Sequence, residues 1–192
     1  MVLEEITQKL KRVLDKQRYE HSLGVMETSE VLARRYGENP EKAALAGLLH
    51  DCGKNYKGEP AKLYMEKAGL SVDWVERINT RLLHGPIGAH LAQTLYGIED
   101  EAILNAVRWH TTGRAGMSLL EKIVFVADYI EPNRKLEDIE QMRKAALESL
   151  ELCMVLCCDS TIRYVMKKGA MLHPRTVETR NESLLLIKEK AH

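Results

Sequence analysis

Apolar residues recur along this chain with the period of a helix far more often than with that of a strand. Leu3, Ile6, Leu10, Val13 and Leu14 mark an amphipathic first helix. A second, from roughly Glu20 to Arg35, carries His21, Val25, Val31 and Leu32 and stops near Gly37. Asn39-Pro40 starts a third, with proline in its first turn. Its run Ala43-Ala44-Leu45-Ala46-Gly47-Leu48-Leu49 offers little polar surface over two turns, which predicts a buried helix ended by Gly53. That helix delivers His50 and Asp51 into the interior. Glu59 to Lys67 is helical and ends at Gly69, and Ser71 is the expected N-cap of a short segment with Val72, Val75 and Ile78. His84-Gly85-Pro86 reads as a turn before a helix from Ile87 to Leu95, and Asp100 caps one holding Ile103, Val107, Trp109 and His110. Ser118 and Glu121 form a capping box ahead of Ile123 to Asp128, which favours helix over strand there, with Pro132 as the stop. Two helices between Ile139 and Lys168 and a last one from Val177 to Lys190 complete an all-α chain of about eight to ten helices.

Composition narrows the function classes. With 192 residues and no compositional break, residues 1–192 are expected to form one domain. Lys and Arg total 28, as do Asp and Glu, so no global field draws in nucleic acid or an anionic membrane. An anionic ligand must be held locally. The first turn is acidic, unlike a signal peptide, and no apolar stretch is long enough to span a bilayer. Cys52, Cys153, Cys157 and Cys158 lack zinc or redox spacing and read as reduced core thiols of a cytoplasmic protein. His90 reads as a supporting residue and His192 as a free terminal one.

A carboxylate in an apolar interior is costly to ionise unless it meets a cation or a metal. His21, His50-Asp51, His84, His110 and Asp128 all fall on core-like helices or at their ends. Any one of these histidines alone reads as a hydrogen-bonded core residue. Together, nitrogen and oxygen donors without thiolate suit iron, manganese, zinc or cobalt.

His21, the doublet His50-Asp51 and the distant Asp128 resemble the H…HD…D signature of HD-domain metal-dependent phosphohydrolases. More narrowly, His50-Asp51-Cys52-Gly53-Lys54, His84-Gly85-Pro86-Ile87-Gly88-Ala89, His110-Thr111-Thr112-Gly113, Ala127-Asp128-Tyr129-Ile130-Glu131-Pro132-Asn133-Arg134 and His173-Pro174 with Thr176, Arg180 and Asn181 are similar to the YqeK family nearly end to end. This resemblance implies an all-α HD fold, a cytoplasmic bacterial homodimer and symmetrical hydrolysis of diadenosine tetraphosphate to two ADP. It also implies a divalent metal, iron first, with manganese, cobalt or zinc as alternatives. His21, His50, Asp51 and Asp128 would hold it. His84 and His110 would take a second ion shared through Asp51, or meet phosphate directly; one ion or two stays open. The Gly-Tyr-Pro block of cyclic-dinucleotide phosphodiesterases does not follow His84, and Lys54-Asn55 stand where alarmone hydrolases carry an acidic pair.

The chemistry suits these residues. A metal lowers the pKa of its water to about 7 and polarises a phosphoryl group, and Asp51 can accept a proton from that water. Lys54 and Arg134, close to the doublet and to Asp128, can neutralise transition-state charge. Thr111, Thr112 and Gly113 can donate to phosphate, or simply end a helix. The expected catalytic set is therefore Asp51, Lys54, His84 and His110. Arg175 and Arg180 are expected to be structural, and Tyr129 to serve either a base or the core. The alternatives are a broader nucleotidase or pyrophosphatase with the same metal, and a nucleotide-binding regulatory module with slow turnover.

Overall fold

A computed structural model describes residues 3–190; His192 lies outside them. Among the described residues there are eleven α-helices, one 3₁₀ turn and no strand: α1 (Leu3–Val13), α2 (Lys16–Tyr36), α3 (Pro40–Leu49), α4 (Gly58–Lys67), α5 (Trp74–Ile78), the 3₁₀ turn (Thr80–Leu83), α6 (His84–Thr94), α7 (Glu101–Trp109), α8 (Leu119–Ile130), α9 (Ile139–Glu148), α10 (Leu150–Lys167) and α11 (Pro174–Lys190). The all-α expectation holds, with one more α-helix than the upper count because α5 has only five residues.

Most helix starts are built by side chains accepting the free N–H groups of a first turn. Asn39 caps α3, Asp100 caps α7, and Ser118 with Glu121 closes the capping box of α8. Several boundaries differ from the sequence pattern, three of the helix starts for a clear local reason. Asp73, not Ser71, caps α5, because its carboxylate accepts from Val75 and Glu76 while Glu76 reaches back to the Asp73 N–H. His84 opens α6 instead of preceding it, since Pro86 falls in the first turn, where an N–H would have no helical partner. α11 likewise begins at Pro174.

α8 is the centre of the molecule. Ile123, Val124, Phe125, Val126 and Ala127 are all buried, and α2, α7, α9 and α10 pack around it. α2 also lies along α3, and α6 along α7, so the ends of α3, α6, α7 and α8 converge on one side of α2. Gly53 serves this convergence and not helix termination, because α3 already ends at Leu49. A Cβ on Gly53 would stand 2.5 Å from the His84 carbonyl and 2.7 Å from the Gly88 nitrogen. Only glycine lets the turn after Asp51 lie on the start of α6.

α10 and α11 form the far wall. All four cysteines are free and buried, consistent with core thiols, and burial pushes Cys158 up to about 12. Glu151 ties the wall together: it pairs with Lys122 of α8 at 3.1 Å and Lys190 of α11 at 3.0 Å. Burial opposes its ionisation, but the hydrogen bonds from Lys190 and Lys122 outweigh it and hold the pKa at about 2, against 4.5 unpaired. A depressed carboxylate pKa contributes stability above the unfolded value, lost as pH falls through the folded one. Glu151→Gln should therefore cost on the order of 2 kcal/mol at pH 7. The difference from wild type should shrink between pH 4.5 and 2 in urea titrations. A pH-independent difference would show that the lysines do not set its charge.

Candidate metal centre

Four imidazoles meet beside α2, and three are aimed by the same device. His50, His84 and His110 each stand at a helix end, and each Nδ1–H donates to the carbonyl three residues back: Gly47 at 2.7 Å, Arg81 at 2.5 Å and Val107 at 2.7 Å. A carbonyl only accepts, so Nδ1 carries the proton and, in a neutral ring, Nε2 presents a bare lone pair. His21 is held differently, with Nδ1 at 3.0 Å from the buried carboxylate of Glu131 and Nε2 facing Asp128; burial opposes its protonation, but Asp128 and Glu131 outweigh it and raise its pKa. The four Nε2 atoms point at one another, 3.2 Å apart for His21 and His50 and 3.0 Å for His84 and His110.

The carboxylates complete two overlapping sets. Asp128 Oδ1 lies 3.0 Å from His21 Nε2 and 3.7 Å from His50 Nε2. Asp51 Oδ2 is 3.8 Å from His50 Nε2, while its Oδ1 is 3.4 Å from His110 Nε2 and 3.5 Å from His84 Nε2. Asp51 thus bridges a His21–His50 side and a His84–His110 side, with the donor atoms of each set within 4.8 Å of one another.

Electrostatics keeps these groups competent as ligands. Burial drives His50 down to about 4 and His84 down to about 3, so both are neutral at pH 7. Burial alone would raise the two aspartates. For Asp51 it is outweighed by His50, His110, Lys54 and His84, and for Asp128 by Arg134, His21 and His50, so both carboxyls stay well below their usual range. Asp51 Oδ1 is buried without a hydrogen bond of good geometry. Imidazole lone pairs and carboxylate oxygens facing one point repel one another unless positive charge sits among them. The donor set therefore fits a divalent metal.

Cations surround the mouth. Lys54 Nζ is 3.0 Å from both Asp51 Oδ1 and His84 Nε2. Arg134 donates through Nε to the Asp128 carbonyl at 2.7 Å and pairs through Nη2 with the Asp128 carboxylate. Arg18, which the sequence reading passed over, stands 4.0 Å from Asp51 and lines the opening with His21, Lys54 and Arg134. A groove of about 400 Å³ leads off, walled by Arg18, Lys57, Arg81, Tyr56 and Thr111.

Not every expected residue arrives. Thr111 does, with its hydroxyl oxygen 2.8 Å from His84 Nε2 and 3.0 Å from His110 Nε2. Thr112 and Gly113 instead form the turn after α7: the Gly113 N–H is spent on the Trp109 carbonyl, and Thr112 is buried against Thr176 of α11. Neither is free to donate to phosphate. Tyr129 bonds Thr161, Arg180 pairs with Asp159, and His90 sits 2.8 Å from the Tyr64 hydroxyl. Arg175 stacks on Trp109 and pairs with Asp73, which also accepts from His173 at 2.7 Å, so the second acidic–histidine cluster already holds its cation and fastens α11 to α5.

The fold and the site define a class. The HD domain family model matches residues 18–133, and the chain belongs to that family. It is 44% identical over 179 residues to a relative from Halalkalibacterium halodurans, covering 93% of this chain and 95% of that one. A relative from Bacillus subtilis is 39% identical, again over 93% and 95%. Both are named symmetrical bis(5'-nucleosyl)-tetraphosphatase. A crystal structure from Clostridium acetobutylicum, described as a predicted HD superfamily hydrolase involved in NAD metabolism, superimposes with a TM-score of 0.92 at 44% identity, over 96% of this chain and 97% of that one.

Glu131 is the residue that sequence reasoning missed within a motif it had noticed. It holds the His21 ring through Nδ1, and a Cβ on Gly24 would fall 2.5 Å from its Oε2. Glu131→Ala should lower divalent-metal affinity about 10- to 100-fold with helical content unchanged, measured by titration against a chelator. Gly24→Ala should lower it in the same direction by displacing that carboxylate. Unchanged affinity in both would leave Glu131 a packing residue only.

Proposed function

We propose that this protein is a metal-dependent hydrolase that cleaves diadenosine tetraphosphate symmetrically to two ADP, with iron as its metal and manganese, cobalt or zinc able to substitute. The observation that carries the proposal is the pair of ligand sets sharing Asp51, ringed by arginine and lysine in an otherwise neutral chain. Two relatives bearing that activity in their names support it.

His21, His50, Asp51 and Asp128 would hold the metal, and Asp51, His84 and His110 would hold a second if one binds. When bound, the metal supplies a nucleophile from water near neutral pH and polarises the phosphoryl group. The chain's own groups do the rest. Lys54 and Arg134 are preorganised cations for the bridging and non-bridging phosphate oxygens, held by Asp51 and Asp128 before substrate arrives. Arg18, Lys57 and Arg81 extend the positive wall along the groove, so a chain of four phosphates has partners beyond the reacting phosphorus. The Thr111 hydroxyl orients the His84 and His110 rings from the groove side. One water oxygen adds to a β-phosphorus, the central bridging bond breaks, and the departing ADP takes up its electron pair. The same reading takes the protein as a single-domain cytoplasmic homodimer, in keeping with its free buried thiols.

Anaerobic assay with each metal should yield ADP as the sole product. AMP plus ATP would move the attack to another phosphorus, and nucleoside plus orthophosphate from mononucleotides would make it a broad nucleotidase. Tight binding without product would make it a regulatory module. Asp51→Ala should lose both metal content and turnover. Lys54→Ala should retain metal and lose about 10- to 100-fold in kcat/KM, the scale of one charge-assisted contact.

A further inference from the structure

We propose that a cavity beside the metal centre, between the 3₁₀ turn and the end of α10, holds one nucleoside of a dinucleoside polyphosphate, with Tyr164 as its stacking residue. The inference rests on the hydrolase reading above and extends it to substrate recognition. The cavity measures about 900 Å³, against about 250 Å³ at the metal mouth and about 400 Å³ in the cationic groove. It is the size of a small-molecule site.

Its position follows from shared walls. Arg81 and Leu82 line both this cavity and the groove, and the Arg81 carbonyl is the group that aims His84. Tyr129, which also lines the cavity, directly follows Asp128. A phosphate chain leaving the metal centre therefore crosses the Arg81 side chain before reaching the cavity. Central cleavage puts a nucleoside diphosphate on each side of the scissile bond, so one nucleoside must lie beyond the groove.

The lining suits a purine. Tyr129 is fixed by its hydrogen bond to Thr161, whereas Tyr164 is 60% exposed at the rim with Lys168 Nζ 5.9 Å from its ring centroid. Leu82 supplies an apolar surface. Among the described residues the side-chain amide of Asn79 and the hydroxyl of Ser160, both on the wall, have no hydrogen-bond partner within the protein. A base offers a flat apolar face and edge donors and acceptors, which a tyrosine ring and such unpaired polar groups match.

Tyr164→Ala in the full chain should raise KM for diadenosine tetraphosphate about ten-fold, the scale of one lost base stack, with kcat within about two-fold of wild type. A 2-azidoadenine derivative of the dinucleotide with a methylene at the central bridge should photolabel the tryptic peptide Tyr164–Lys167, and unlabelled dinucleotide should suppress the label. An unchanged KM with labelling confined to Tyr56 and Lys57 would overturn the cavity assignment while leaving the hydrolase reading intact. An unchanged KM with loss of a dimer in sedimentation would overturn it in favour of a second copy of the chain. Were wild type not to hydrolyse the substrate, the hydrolase reading would fail by itself. The competed label on Tyr164–Lys167 would still support the cavity as a nucleoside site, and its absence would overturn it.

Discussion

Four imidazole nitrogens and two carboxylates share a space only a few ångströms across inside an apolar helical bundle. Such an arrangement is unfavourable in a low-dielectric interior unless positive charge is brought to it, and much of the surrounding structure answers that requirement. Lys54 and Arg134 pair with Asp51 and Asp128, Arg18 stands close by, and the donor geometry fits a divalent cation. The backbone contributes as well. Carbonyls of Gly47, Arg81 and Val107, at or near helix C-termini, take the Nδ1 protons and hold the rings with their lone pairs inward.

The same requirement accounts for close approaches that would otherwise look incidental. Glycine at position 53 brings the His50–Asp51 turn onto α6, where His84 begins, and glycine at position 24 leaves room for the carboxylate that orients His21. A methyl group at position 53 would separate the turn after Asp51 from α6, and one at position 24 would displace the Glu131 carboxylate. Helix packing and ligand geometry are one problem here, since each ligand stands where a core helix begins or ends or, as with His21, on the helix that the others meet.

Charge in this chain is local. A net charge of zero hides a cationic groove beside the metal centre, while other arginines and lysines are engaged with acids elsewhere, as in the Arg175–Asp73 pair and the Glu151 clamp. Arg81 and Leu82 join the groove to a larger cavity. A metal centre, a positive groove and an aromatic-walled cavity in series match a ligand made of phosphates flanked by bases.

Much of this was legible in the residues themselves. Helical periodicity, capping residues and buried runs depend on neighbours within a turn or two, so the all-α class, the Ser118 box and the inward delivery of His50 and Asp51 could be read directly. The H…HD…D spacing with its flanking blocks identified the ligand candidates, because few other roles place those residue types on core helices. What the tertiary structure alone decided is the set of relations across distant segments. Glu131 reaches His21 over 110 residues, Arg81 joins two cavities, and Thr112 and Gly113 turn away from phosphate because α11 packs against them. Periodicity carries the face a residue occupies on its own helix. Which other helix that face meets is settled only when the core closes, since burial is shared among elements and belongs to none of them alone.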